Sequence, residues 1–76
     1  MDNFDWQQAI FDLMANRTIR LSVYGDMGFV EARLDVYHIA GGKVANFYEV
    51  DGMPSFGDAM AALMVQVDCL TGKPKV

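Results

Sequence analysis

Two runs in the middle of this chain alternate apolar and polar residues at every second position. Thr18-Ile-Arg-Leu-Ser-Val-Tyr24 is the first, Phe29 to Ile39 is the second, and Gly25-Asp-Met-Gly28 lies between them. A period of two sends successive side chains to opposite faces, so each run reads as a half-buried β-strand and the intervening stretch as a turn. Pairing Val23 with Val30, Leu21 with Ala32 and Ile19 with Leu34 gathers six apolar side chains on one face. That register is self-consistent. The other face then carries Arg20, Tyr24, Phe29, Glu31, Arg33, Asp35 and Tyr37. Arg20 stands opposite Arg33 in this pairing, with Glu31 and Asp35 placed diagonally to compensate. A sheet that is apolar on one side must be covered there by the rest of the chain.

The cover is helical. Phe56, Met60, Leu63, Val67 and Leu70 recur at steps of three and four, which stacks them on one side of a helix over Phe56 to Leu70. Ser55 caps its first turn, and Asp58 completes a capping-box-like pair at the positive end of the helix dipole. Thr71-Gly72 ends the helix and Pro74 prevents a restart. A first helix runs from a cap at Asp2 or Asn3 to about Ala15-Asn16. Its stripe is Trp6, Ala9, Ile10, Leu13 and Met14, widened by Phe4 and Phe11 beside it, opposite a polar face of Asp5, Gln8 and Asp12.

Between the hairpin and the last helix, Gly41-Gly42 leads to a third strand from about Lys43 to Val50. Its register is open at this point. A two-residue loop turns Ala45 and Phe47 inward, whereas a bulged three-residue loop turns Tyr48 and Val50 inward. Asp51-Gly-Met-Pro54 connects onward. The expected architecture is α+β in the order α-β-β-β-α, a three-stranded antiparallel meander with both helices on one face. Residues 1–72 form the single domain and residues 73–76 a short flexible tail.

With 76 residues there is room for one small core, and 53% hydrophobic residues are too many for a disordered chain. The single cysteine, Cys69, excludes an internal disulfide and fits a reducing, cytoplasmic setting. A basic, apolar leader is missing from the first residues, so no signal peptide is expected. No apolar run approaches the roughly 20 residues that span a membrane. The formal charge is −4, with the arginines dispersed, which is a poor supply of the cations that displace phosphate counterions. Direct nucleic-acid binding is not expected.

Residues that carry chemistry are few. His38 is the only histidine and has no serine or cysteine partner at a suggestive spacing. Cys69 falls in the last turn of the expected helix, where the negative dipole end raises a thiol's pKa. Asp26, Glu49 and Asp51 lie in or near turns without the spacing of a metal loop. The glycines form no phosphate-cradling loop. No catalytic, cofactor-binding or metal-binding residue is expected, and the chain reads as a non-enzyme. Two surfaces stand out instead. The open sheet face offers Arg20, Tyr24, Glu31, Arg33, Asp35 and Tyr37 to a protein partner, since tyrosine and arginine often anchor interfaces. The outward side of the last helix is built of small residues, and Ala61, Ala62, Val65 and Cys69 are the candidate face for a homodimer.

The order of elements resembles that of the double-stranded RNA-binding domain. That family grips phosphates with a basic cluster at the start of its final helix. The matching stretch here is Pro54-Ser-Phe-Gly-Asp-Ala-Met60, with Asp58 where lysines would stand. The resemblance implies a shared topology without the RNA-gripping residues. In size and acidity the chain also looks like small phage and mobile-element inhibitors, anti-CRISPR proteins among them. This resemblance implies a protein-binding module, acting in the host cytoplasm, that occludes a basic nucleic-acid-binding surface of a defence complex. The alternatives are a structural or assembly protein that oligomerises through its last helix, and a degenerate double-stranded-RNA-binding-like domain.

Overall fold

A computed structural model describes residues 4–39 and 41–75. The elements are α1 (Trp6–Asn16), β1 (Thr18–Asp26), β2 (Phe29–Tyr37), β3 (Val44–Met53) and α2 (Phe56–Met64). The strands form one antiparallel sheet in the order β1-β2-β3, so the α-β-β-β-α meander is the fold. No helix among the described residues is long and apolar enough to cross a membrane.

The first hairpin is tighter than its sequence suggests. Met27 (φ 52°) and Gly28 (φ 89°) make a two-residue turn, and Asp26 pairs directly with Phe29. Left-handed conformations at both turn positions match the twist of the flanking strands. The register moves by two residues in consequence: Val23 pairs with Ala32, Leu21 with Leu34 and Ile19 with Val36. A shift of two leaves every side chain on its expected face but changes its neighbours. Arg20 therefore stands opposite Asp35, and the expected Arg20–Arg33 clash does not arise.

On the other side of β2, Leu34 pairs with Tyr48 and Ala32 with Val50, which turns Tyr48 and Val50 inward and Phe47 outward. The connection over residues 38–43 is longer than either short loop, with the Gly42 amide donating to the Ile39 carbonyl at 3.0 Å. Irregularities in pairing bracket the β2–β3 ladder, one between Val36 and Tyr37 and one between Val30 and Ala32.

In α1 the cap is Asp5, whose carboxylate accepts from the Gln8 amide at 3.0 Å. Asp2 and Asn3, the expected caps, lie outside the described residues. Ala9 and Leu13 are buried and Trp6 and Ile10 pack at the rim, while Phe11 and Met14 are exposed. The stripe is thus narrower than its composition suggests. Trp6 meets Phe56 of α2 edge-on, with ring centroids 5.6 Å apart. The cap of α2 is Ser55 as expected, accepting from the Asp58 amide at 3.1 Å while its hydroxyl donates to the Asp58 carboxylate.

The end of α2 is the main correction. The helix stops at Met64, and Leu70 is exposed. Val67 instead bridges Pro74, Asp68 N–H donates to Lys73 O at 2.9 Å, and Lys75 N–H donates to Gln66 O at 2.8 Å. The Asp68 carboxylate accepts from the Leu70 and Thr71 amides, which shapes the turn. Val65 is still helical as the C-cap, and β-branched Val67 is the residue that takes up the extended pairing. Lys73 to Lys75 are therefore one arm of a small C-terminal hairpin rather than a free tail, and Val76 lies outside the described residues. That hairpin docks on the fold. Tyr48 Oη donates to Gly72 O at 2.8 Å, Arg17 Nε to Thr71 O at 3.1 Å, and Asn16 Nδ2 to Cys69 O at 3.3 Å. The core beneath is made by Leu13, Leu34, Val36, Met60, Leu63, Met64 and Val67.

Candidate functional site

Strand alternation places all six predicted partner-binding residues on the outer face of the sheet, away from the helices. Arg20 and Tyr24 come from β1, and Glu31, Arg33, Asp35 and Tyr37 from β2. The pairing with β3 adds Phe47 beside Asp35 and Glu49 beside Arg33.

At the centre, Arg33 is engaged within the sheet. Its Nε donates to Asp35 Oδ1 at 2.7 Å, a terminal nitrogen reaches Glu49 Oε2 at 3.5 Å, and the guanidinium lies 4.3 Å over the Phe47 ring. The hydrogen bond to Asp35 is the main influence raising the guanidinium pKa above its ordinary value. Asp35 is 8% exposed, an uncommon depth for a carboxylate on an open face, and the hydrogen bond from Arg33 offsets its lost hydration. Arg33 and Asp35 therefore organise the face and are engaged with one another.

What the face presents outward is aromatic and acidic. Tyr24, Phe29 and Phe47 are all more than half exposed. Near the β1–β2 turn, Asp26, Phe29, Val30, Glu31, Asp51 and Gly52 line an open depression of about 340 Å³. A neighbouring one of about 270 Å³ is lined by Glu31, Glu49, Val50 and Asp51. Among the described residues, no group of three or more His, Cys, Asp or Glu is arranged to hold a metal ion. Glu31 and Asp51 line both depressions, so the carboxylates gather toward the turn end of the sheet.

Phe47, Glu49, Asp26 and Asp51 are not assigned to the site by sequence reasoning. A usable signal exists for the first two. Any register that buries Phe47 also buries Glu49, two residues on, without a partner charge, and that cost favours the alternative with Tyr48 and Val50 inside.

The candidate homodimer face on α2 is only partly helical. Ala61 and Ala62 are half-buried in the helix, but Val65 is its C-cap and Cys69 belongs to the C-terminal hairpin. Cys69 turns toward α1, where its Sγ donates to Ala9 O at 3.3 Å. Cys69 is thereby taken out of the face, while Ala61, Ala62 and Val65, whose N–H donates to Ala61 O, stay together at the end of the helix. His38 is exposed just beyond β2.

Burial, then the nearby Asp12 charge, pushes the Cys69 thiol above its ordinary value of 9.0, against a lowering influence of Lys75. The expected direction is met by a different cause from a helix dipole. Burial likewise raises the Tyr48 phenol above 10.0. In both, the folded state holds its proton more firmly than the unfolded chain. Their contribution to stability is complete below the unfolded pKa values and is lost as pH rises through the folded ones. A titration of denaturation midpoints is expected to fall from about pH 9 upward, and less steeply in Tyr48→Phe. A flat midpoint between neutrality and pH 11 would contradict this, taking ~11 as above both ordinary values.

Compared with known proteins, the chain matches no family model, no curated protein sequence and no solved structure.

Proposed function

We propose that this chain is a non-enzymatic protein-binding module whose outer sheet face covers a basic, nucleic-acid-binding surface of a host defence complex. This is the mode of action of a small phage or mobile-element inhibitor. The observation that carries the reading is the character of that face. Tyr24, Phe29 and Phe47 stand exposed among Asp26, Glu31, Glu49 and Asp51, while Arg33, the most central cation, is already paired. Exposed aromatic rings accept stacked guanidinium groups, and flanking carboxylates receive their hydrogen bonds. The side chains project from a hydrogen-bonded sheet, so little ordering is required when a partner docks. Negative charge at the turn end steers a positively charged surface into place.

The test uses Asp26→Lys with Glu31→Lys. Both positions are exposed, so the fold should be retained, as judged by thermal unfolding. The wild type is expected to displace nucleic acid from a purified target complex, more weakly as salt rises. The doubly reversed variant should lose at least ~100-fold in competing strength, because two attractive contacts become repulsive. Equal competition by the variant, or tight duplex binding by the wild-type chain itself, would sink the reading.

A further inference from the structure

We propose that two copies of this chain pair through the free edge of β1, antiparallel about Ser22, to make one continuous six-stranded sheet. The pairing is argued from the edge of β1 and not from the outer-face function, although Arg20, Tyr24 and Asp26 belong to both surfaces. β1 is an edge strand, and all nine of its residues pair with β2 without interruption. Its outer edge is correspondingly regular. The strand, Thr-Ile-Arg-Leu-Ser-Val-Tyr-Gly-Asp, holds no proline, lysine or bulge, the devices that usually protect an edge from pairing. β3, the other edge, is different: pairing irregularities fall at both ends of its ladder, and Gly52 (φ 64°) distorts it near the second. An edge of that kind resists addition of a further strand.

Burial points to the same strand. α2 packs on β2 and β3, leaving the helix-side face of β1 thinly covered. Leu21 is 37% exposed and Val23 is 45% exposed, although both belong to the apolar face. Counting the antiparallel alternation from the two-residue turn, the backbone groups of Ile19, Leu21, Val23 and Gly25 point to the free edge.

The occupant follows from the order of side chains. Ser22 is the midpoint of β1, so pairing about it is the two-fold arrangement that uses the whole of Thr18–Asp26. Leu21 then lies opposite the partner's Val23, and Val23 opposite the partner's Leu21, closing four apolar side chains into a patch on the helix side. On the outer side Arg20 lies opposite the partner's Tyr24, with the partner's Asp26 diagonal to it. Cation, ring and carboxylate meet on both sides of the axis. Roughly eight ladder hydrogen bonds form between the two edges. The contact is small by the standard of stable dimers, so dissociation on dilution is expected.

The wild type should sediment as a dimer at about 500 µM and shift toward monomer on dilution. Val23→Lys should be monomeric and folded at the same concentration, since the new lysine would face the partner's Leu21 and repel its own copy across the diagonal. In a Cys69→Ser background, Ser22→Cys should oxidise to a disulfide-linked dimer, because residue 22 faces itself at a separation a disulfide can bridge. Tyr24→Cys, which faces the partner's Arg20, should cross-link far less. A monomeric wild type at the highest concentration would overturn the proposal. So would a dimer that survives Val23→Lys, or cross-linking at residue 24 in place of 22.

Discussion

Leu63→Asp is expected to leave the chain unfolded, with collapsed dispersion in a proton spectrum and loss of the cooperative melt. Leu63 is 0% exposed in the last turn of α2, and the core cluster around it is apolar. An isolated carboxylate there costs several kcal/mol, or must take up a proton to avoid the charge. Removing the leucine side chain costs a further ~2–5 kcal/mol in lost burial and packing. A core of this size supplies only about 3–5 kcal/mol in total. The variant therefore falls below the threshold by a wide margin, whereas Leu63→Met, close in volume, should remain folded. Native-like dispersion in Leu63→Asp would mean that α2 presents a different face to the sheet.

Gly72→Ala is expected to have the next largest effect. Gly72 sits in the turn of the C-terminal hairpin with φ +74°, where a β-carbon costs ~1–2 kcal/mol. The added methyl would also lie 2.5 Å from Val36 Cγ1 and 3.5 Å from Arg17 Cγ. Overpacking of this kind adds about 1–3 kcal/mol, since Val36 is itself fully buried. Moving the turn outward would pull Gly72 O from the Tyr48 hydroxyl, so relaxation is also costly. Gly28→Ala provides the comparison. Its φ is +89°, yet the space around it is open, so only the backbone cost applies. In urea, Gly72→Ala should lose most of the stability and Gly28→Ala roughly a third of it. Equal midpoints would show that the hairpin does not press on β2.

The architecture is legible in the sequence because it depends on parity. Alternation over Thr18–Tyr24 and Phe29–Ile39 assigns faces, and a register error of two residues leaves that assignment intact. The same property makes the open-face residues of β1 and β2 readable from alternation alone. Pairing partners are not readable in this way, because they depend on where the turn closes. Met27, an ordinary residue in a left-handed conformation, gives no turn signal. The end of α2 is hidden for a related reason. Val67 and Leu70 continue the helical spacing of Met60 and Leu63, and nothing local announces that Val67 will bridge Pro74. Thr71-Gly72 reads as a stop, but it turns a hairpin instead of ending a helix. On β3, Phe47 and Glu49 wait on a register that local pattern leaves open, so the acidic and aromatic half of the candidate site is incomplete in the sequence.

The C-terminal hairpin also sets the order in which this protein can become itself. Its contacts with α1 join residues 53, 54 and 60 positions apart in the chain, through Asn16–Cys69, Arg17–Thr71 and Cys69–Ala9. Closing such long loops costs entropy before any contact rewards it, and folding slows accordingly. During synthesis the first helix emerges with one flank waiting for residues that follow only after the whole sheet has been made. Until Gly72 is outside the exit tunnel, Val36 lacks its cover and the Tyr48 hydroxyl lacks its acceptor. A chain truncated before that residue is expected to leave Val36 and the Tyr48 hydroxyl without these partners.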